Sequence, residues 1–146
     1  ELVNLLCSSF ADQARQAGIQ LTINARLPKV LPLSDIELCS LLSNGLENAL
    51  RAAGQVTQGA RWVDLYCDVR REKLLIEIKN PYSGTVELEN GLPAARQAGH
   101  GFGCRSMASI ARQKGGLCVF RAEDGVFLLQ LALPMTPAQK TAEAAG

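Results

Sequence analysis

Apolar and polar positions divide the chain into segments of two periods. From Ser34 to Ala53 (SDIELCSLLSNGLENALRAA) the spacing is helical: at about 100° per residue, Leu38, Cys39, Leu42, Leu46, Ala49, Leu50 and Ala53 share one face. Ser34 followed by Glu37 is a capping-box start, and Gly54 supplies a stop. Residues 2–17 carry the same period through Leu2, Leu5, Leu6, Phe10 and Ala14 and end at Gly18. A chain that opens inside a helical pattern is expected to be cut from a longer protein. Ile19–Ala25 alternates instead, with Ile19, Leu21, Ile23 and Ala25 opposite Gln20, Thr22 and Asn24, which predicts a strand with one wet face. Alternation returns in 61–69, in 73–80, in 117–121 and in 126–133, the last two joined by the hairpin signal Asp124-Gly125.

Between these runs, residues 81–104 hold five glycines, two prolines and no long periodic segment. So long a connector predicts a lid or binding segment. It ends in Gly99-His100-Gly101-Phe102-Gly103 and feeds a helix with Cys104, Met107, Ala108 and Ala111 on one stripe, stopping at Gly115-Gly116. Residues 135–146 read as a flexible tail. The order α-β-α-β-β-lid-α-β-β predicts an α+β fold: a mixed, mostly antiparallel sheet of about five strands with helices on one face.

Composition narrows the function. The 146 residues make one domain with enough apolar content, 47%, to bury a core. Fifteen basic and 14 acidic residues leave a net charge of +1, which gives no support to a nucleic-acid footprint. No apolar run approaches the roughly 18 residues of a membrane span, and no signal peptide opens the chain. Five cysteines without CxxC spacing and a single histidine, His100, form no recognisable zinc site. Reduced, mostly buried thiols in a cytoplasmic protein are expected.

Candidate chemistry lies on the central helix. Opposite its apolar face stand Asn44, Glu47, Asn48 and Arg51. Such a stripe is ordinarily a solvated face. Amide oxygens are also hard ligands for Mg²⁺, and an arginine one turn on suits a phosphate. Asn80 falls in phase with the apolar side of its strand; it either caps the turn before Pro81, its ordinary use, or looks into a pocket from the core. A glycine-rich turn at a helix N-terminus presents free N–H groups to an anion, and a bound anion would offset the unfavourable placement of Arg105 in the first turn.

SNGLENALRAA resembles the N-box of the GHKL (Bergerat-fold) ATPase superfamily, which includes histidine kinases, gyrase and MutL. GHGFGCRSM with RQKGG downstream looks like its G2 box, and LCVFRAEDGVFLLQLALP is similar to its closing hairpin. The resemblance covers residues 1–134 and implies the Bergerat two-layer α/β sandwich with an ATP lid over about 81–104. Through GIQLTINARLPKVLPLSDIELCSLLSNGLENALRAA it is closest to the ATP-binding domain of sensor histidine kinases of the peptide-quorum-sensing, accessory-gene-regulator-like type.

Carried over by position, the resemblance implies Asn48 and Asn44 as Mg²⁺ ligands, Asn48 foremost, and Arg51 near the phosphates. It implies Gly99, Gly101 and Gly103 as lid glycines beside the triphosphate, with His100, Phe102 and Arg105 among them. Phe102 and Cys104 replace leucines common in the G2 box. Asn80 stands where the superfamily has the aspartate that accepts a hydrogen bond from adenine; Asn80-Pro81-Tyr82-Ser83-Gly84 keeps only the final glycine, Gly84, of DxGxG. An asparagine carbonyl accepts the same bond without a charge.

The function implied is a Mg²⁺·ATP-binding catalytic domain that donates the γ-phosphate to a histidine on a separate dimerisation domain of the same parent. A response regulator would act downstream. The implied domain is cytoplasmic, within a parent anchored in the membrane, and makes no membrane or nucleic-acid contact of its own. Two alternatives stand beside it: a GHKL ATPase or anti-sigma-type serine kinase, with Glu47 one turn from Asn44 as the candidate base, and an interaction module that has lost nucleotide.

Overall fold

The computed structural model describes residues 2–86, 88–89, 92–93 and 100–135, apart from the side chains of 89, 92–93 and 100–102. Helix α1 spans Leu2–Gln16 and stops at Gly18, whose φ of +70° turns the chain into strand β1, Gln20–Ala25. Helix α2 spans Asp35–Gly54 behind the expected N-cap. Ser34 Oγ accepts from the Glu37 N–H at 3.1 Å, and the Glu37 carboxylate accepts from the Ser34 N–H at 2.8 Å. These bonds occupy donors that a helix start otherwise leaves unpaired. The stop differs from expectation. Gly54 is the last helical residue and has no positive φ; the C-cap is Gln55, whose N–H reaches the Ala52 carbonyl at 3.2 Å.

Strands β2 (Trp62–Arg70) and β3 (Lys73–Pro81) form a hairpin, and a short ladder, β4 (Leu88–Glu89) with β5 (Leu92–Pro93), follows. Helix α3 (His100–Gln113) and the hairpin β6 (Leu117–Glu123) and β7 (Val126–Pro134) complete the fold. The main sheet runs β1-β2-β3-β7-β6. Only β1–β2 is parallel, and α2 makes the crossover that a parallel pair requires.

Register explains the core. Leu65 pairs with Ile78 and Ile78 with Leu129, so alternate apolar residues of adjacent strands share one face. That face is buried against α2 and α3, together with Phe10 and Ala14 of α1. The opposite face carries Asp64, Glu77, Lys79 and Gln130. At the sheet edge β1 is covered less than its alternation predicts: Ile19 is buried, whereas Ile23 remains 37% exposed. Met135, assigned by patterning to the tail, is buried, and its N–H donates to the Glu72 carbonyl at 3.1 Å.

Two glycines set how closely layers approach. A Cβ on Gly45, in mid-α2, would lie 2.5 Å from Ile78 Cδ1 and 3.0 Å from Leu129 Cδ2, so this turn of the helix rests directly on the sheet. A Cβ on Gly116 would strike the Ala132 carbonyl oxygen.

Candidate functional site

Among the described residues, only two polar or charged residues are buried, Asn48 at 9% exposure and Asn80 at 2%. They come from different elements and line the same cavity, of about 220 Å³, between α2, the end of β3, the segment after it and α3. Asn48 is buried because α3 packs on the α2 face that pattern alone reads as solvated. Its amide nitrogen lies 3.7 Å from Cys104 Sγ, a weak bond. Burial pushes the Cys104 thiol up to about 11, so the group beside Asn48 is a neutral thiol at physiological pH.

Asn80 occupies the core side of β3, in register opposite Phe127. The strand alternation put it in phase with the apolar face; the turn role is present as well, since its Nδ2 donates to the Pro81 carbonyl at 2.8 Å. Ile78, Met107, Phe127 and Leu129 give the cavity apolar walls, and Ser83 and Thr85 add hydroxyls from the segment after β3. Among the described residues Arg51 is the single charged one on the lining, and it is itself exposed.

The structure brings Asn48, Arg51 and Asn80 together. Asn44 lies outside this lining: its Nδ2 bonds Ser40 Oγ at 3.4 Å, and a Cβ on Gly103 would sit 3.4 Å from its own Cβ. Gly84, at φ +77°, is the turn residue between Ser83 and Thr85 and does not itself line the cavity. Helix α3 begins at His100, four residues before the stripe that announces it, so His100, Gly101, Phe102 and Gly103 form its first turn. Arg105 therefore stands in the second turn, exposed, and the first-turn conflict with the helix dipole expected for it does not arise. Gly99 lies outside the described residues. Glu47 is exposed and off the cavity lining.

Sequence reasoning missed Tyr82, Ser83, Thr85 and Gln55 as lining residues. No period marks the first three, which lie on a loop, and Gln55 is a cap. Met107 and Phe127 were legible as core through their periods, but not as walls of a site. No group of three or more His, Cys, Asp or Glu side chains that could hold a metal occurs among the described residues. A cation here would rest on carboxamide oxygen, on ligand oxygens and on water, a set that suits Mg²⁺.

The GHKL domain family matches residues 33–134, which include α2, the cavity walls and the closing hairpin. The chain belongs to the GHKL family. No curated protein matches it. Solved structures share the fold at low identity. The catalytic domain of histidine kinase ThkA, in a nucleotide-free form, superposes with a TM-score of 0.71 at 16% identity, over 94% of this chain and 93% of that one. Histidine kinase AdeS of Acinetobacter baumannii gives 0.71 at 15%, over 92% of this chain and 64% of that one. The histidine kinase domain of the blue-light-activated kinase EL346 from Erythrobacter litoralis gives 0.68 at 18%, over 98% and 63%. This GHKL domain thus has the five-stranded fold of histidine kinase catalytic domains and spans less than two thirds of the chains solved for AdeS and EL346.

Proposed function

We propose that this GHKL domain binds Mg²⁺·ATP and presents the γ-phosphate to a histidine on a separate dimerisation domain, as the catalytic part of a sensor histidine kinase. The observation that carries this reading is the convergence of the two buried carboxamides, Asn48 and Asn80, on one apolar-walled cavity. Buried polar groups cost free energy unless paired, and apolar cavities with a few convergent polar groups are binding sites. At about 220 Å³ the cavity is smaller than the roughly 300–1,000 Å³ of drug-sized pockets, which suits one ring system with the remainder of the ligand outside.

Each residue then has a role. Asn80 pairs the polar edge of the base between apolar walls. Asn48 offers its amide oxygen to a magnesium ion, with Asn44 next to it along the helix. Arg51 faces the phosphates, and the N–H groups of the first turn of α3, from His100 to Gly103, approach them from the other side. Arg105, on the next turn, adds positive charge. Magnesium, when bound, neutralises charge on the triphosphate, and positioning with electrostatics supplies most of phosphoryl-transfer catalysis. A full-length relative, ShkA, was solved with AMPPNP, an ATP analogue, and shares the fold at a TM-score of 0.70. The peptide-quorum-sensing type of kinase, with a membrane-anchored parent and a response regulator downstream, is the subtype that the segment 18–53 supports by resemblance.

A hydrolytic reading needs a base beside the γ-phosphate. Glu47, exposed and off the cavity lining, is the candidate, and steady phosphate release that Glu47→Gln abolishes would favour hydrolysis over transfer. Calorimetric titration with a non-hydrolysable ATP analogue, with and without Mg²⁺, tests the proposal. Metal-dependent binding that Asn48→Ala abolishes is the expected result; absence of binding at millimolar analogue would leave an interaction module with a GHKL fold.

A further inference from the structure

Asn80 carries one acceptor and two N–H donors on its side chain. One N–H is used by the Pro81 carbonyl at 2.8 Å. A carbonyl only accepts, so this bond identifies the nitrogen end of the carboxamide. Oδ1 and the second N–H remain, on a side chain 2% exposed that lines the cavity. Ile78, Phe127 and Leu129 bring apolar walls to that lining, and Ser83 and Thr85 lie on the segment after β3. Arg51, the charged residue among the described lining residues, is exposed. Of the two buried carboxamides on the lining, Asn80 is the deeper, at 2% exposure against 9% for Asn48, and is the one read above as meeting the base.

We infer that Asn80 lets the cavity take purine nucleotides with either an amino or an oxo group at the six-position. The inference rests on the nucleotide reading above and adds to it a base specificity. An exocyclic amino group donates to Oδ1. An exocyclic carbonyl accepts from the second N–H. The ring N1, an acceptor in the amino-purine and a donor in the oxo-purine, meets the other remaining group of Asn80, so either purine pairs both. A carboxylate at the same place presents acceptors alone, so an oxo-purine would set its carbonyl against a charged oxygen. A buried group left unpaired costs about ten- to a hundredfold in binding. Neutral Asn80 avoids that cost for both bases, and discrimination between them is weak.

The test uses the whole 146-residue chain in excess Mg²⁺. ATP and ITP are titrated calorimetrically against wild type, Asn80→Asp and Asn80→Ala. ITP carries the oxo group but lacks the bulky two-amino group of guanine, so the comparison isolates the six-position. Wild type is expected to bind ITP within about tenfold of ATP. Asn80→Asp raises that ratio by about tenfold or more through weaker ITP binding. Asn80→Ala weakens both nucleotides and brings the ratio towards unity. A wild-type preference for ATP above about a hundredfold overturns the inference, as does a ratio that Asn80→Asp leaves unchanged. Should the buried carboxylate prevent folding, the wild-type ratio and Asn80→Ala decide alone. If wild type binds ATP and rejects ITP, base tolerance fails and the nucleotide reading stands; if it binds neither, both fall.

Discussion

A glycine inside a helix costs about 1 kcal/mol relative to alanine, so Gly45 in the middle of α2 needs a compensating contact. The sheet supplies it, since a Cβ there would press on Ile78 Cδ1 and Leu129 Cδ2. Both obstacles are side-chain tips, yet both belong to buried residues with little room to retreat. Overpacking a core costs about 1–3 kcal/mol, which outweighs the helix-propensity gain. Gly45→Ala is expected to lower stability by about 1 kcal/mol in urea unfolding. Gly116→Ala should cost more, because there the obstacle is the backbone oxygen of Ala132, which cannot rotate away. The reverse order would show that the α2–sheet contact is the stiffer of the two. Thiols give a second prediction at this scale. Burial pushes Cys67 and Cys118 up to about 12 and Cys104 to about 11, from 9.0. A folded-state value above the unfolded one keeps its full stabilising effect below about pH 9 and loses it as pH climbs towards 11–12. Urea midpoints should hold level up to about pH 8.5 and fall beyond it, with a shallower fall in Cys67→Val. Equal slopes in both proteins would acquit Cys67.

Elements with strong local signals stand where the pattern puts them, and those held by tertiary contact do not. The capping box marks the start of α2, and alternation through Leu74, Ile76 and Ile78 carries Asn80 in phase with the apolar side of β3, where the structure buries it. The start of α3 was not legible. Gly101 and Gly103 are poor helix formers, at about 1 kcal/mol each, so propensity places the boundary after them. Packing overrides it: Gly103 lies flat against Asn44 of α2, bringing the first turn of α3 onto the central helix. Nor did the α2 pattern reveal that Asn48 is covered while Glu47, the residue before it, is not. That depends on where α3 lands, and periodicity within one helix carries no such information. Gly103→Ala separates stability from function here. Its Cβ would meet Asn44 at 3.4 Å, an ordinary contact, so thermal stability should hold or rise by up to about 1 kcal/mol. Nucleotide affinity should fall, because the added methyl crowds the turn proposed to approach the phosphates. A clear loss of stability would mean that α2 and α3 are closer than that contact distance implies.

At the scale of the molecule, one parallel pair decides where the site lies. Because β1 and β2 run parallel, α2 must cross the sheet between them, and its C-terminal half then passes over β3, where Asn80 ends the inner face. The α3–β6–β7 unit closes the other side through Met107, Phe120 and Phe127. Ligand in this cavity bridges both parts, so it should stabilise the whole cooperative unit. A nucleotide at 100 times Kd adds about 2.7 kcal/mol. For a chain of this size that raises Tm by about 5–10 °C. The same topology limits what the chain does by itself. Its single histidine, His100, begins the very helix whose N-terminus is proposed to hold the phosphates. An acceptor must reach the γ-phosphate in line from outside, whereas a residue of that first turn is tied to the backbone groups that bind it. The chain incubated with γ-labelled Mg·ATP should therefore show the thermal shift and no stable label. Label recovered on His100 would refute transfer to a separate domain, and label lost on His100→Gln with the thermal shift intact would establish that residue as the acceptor.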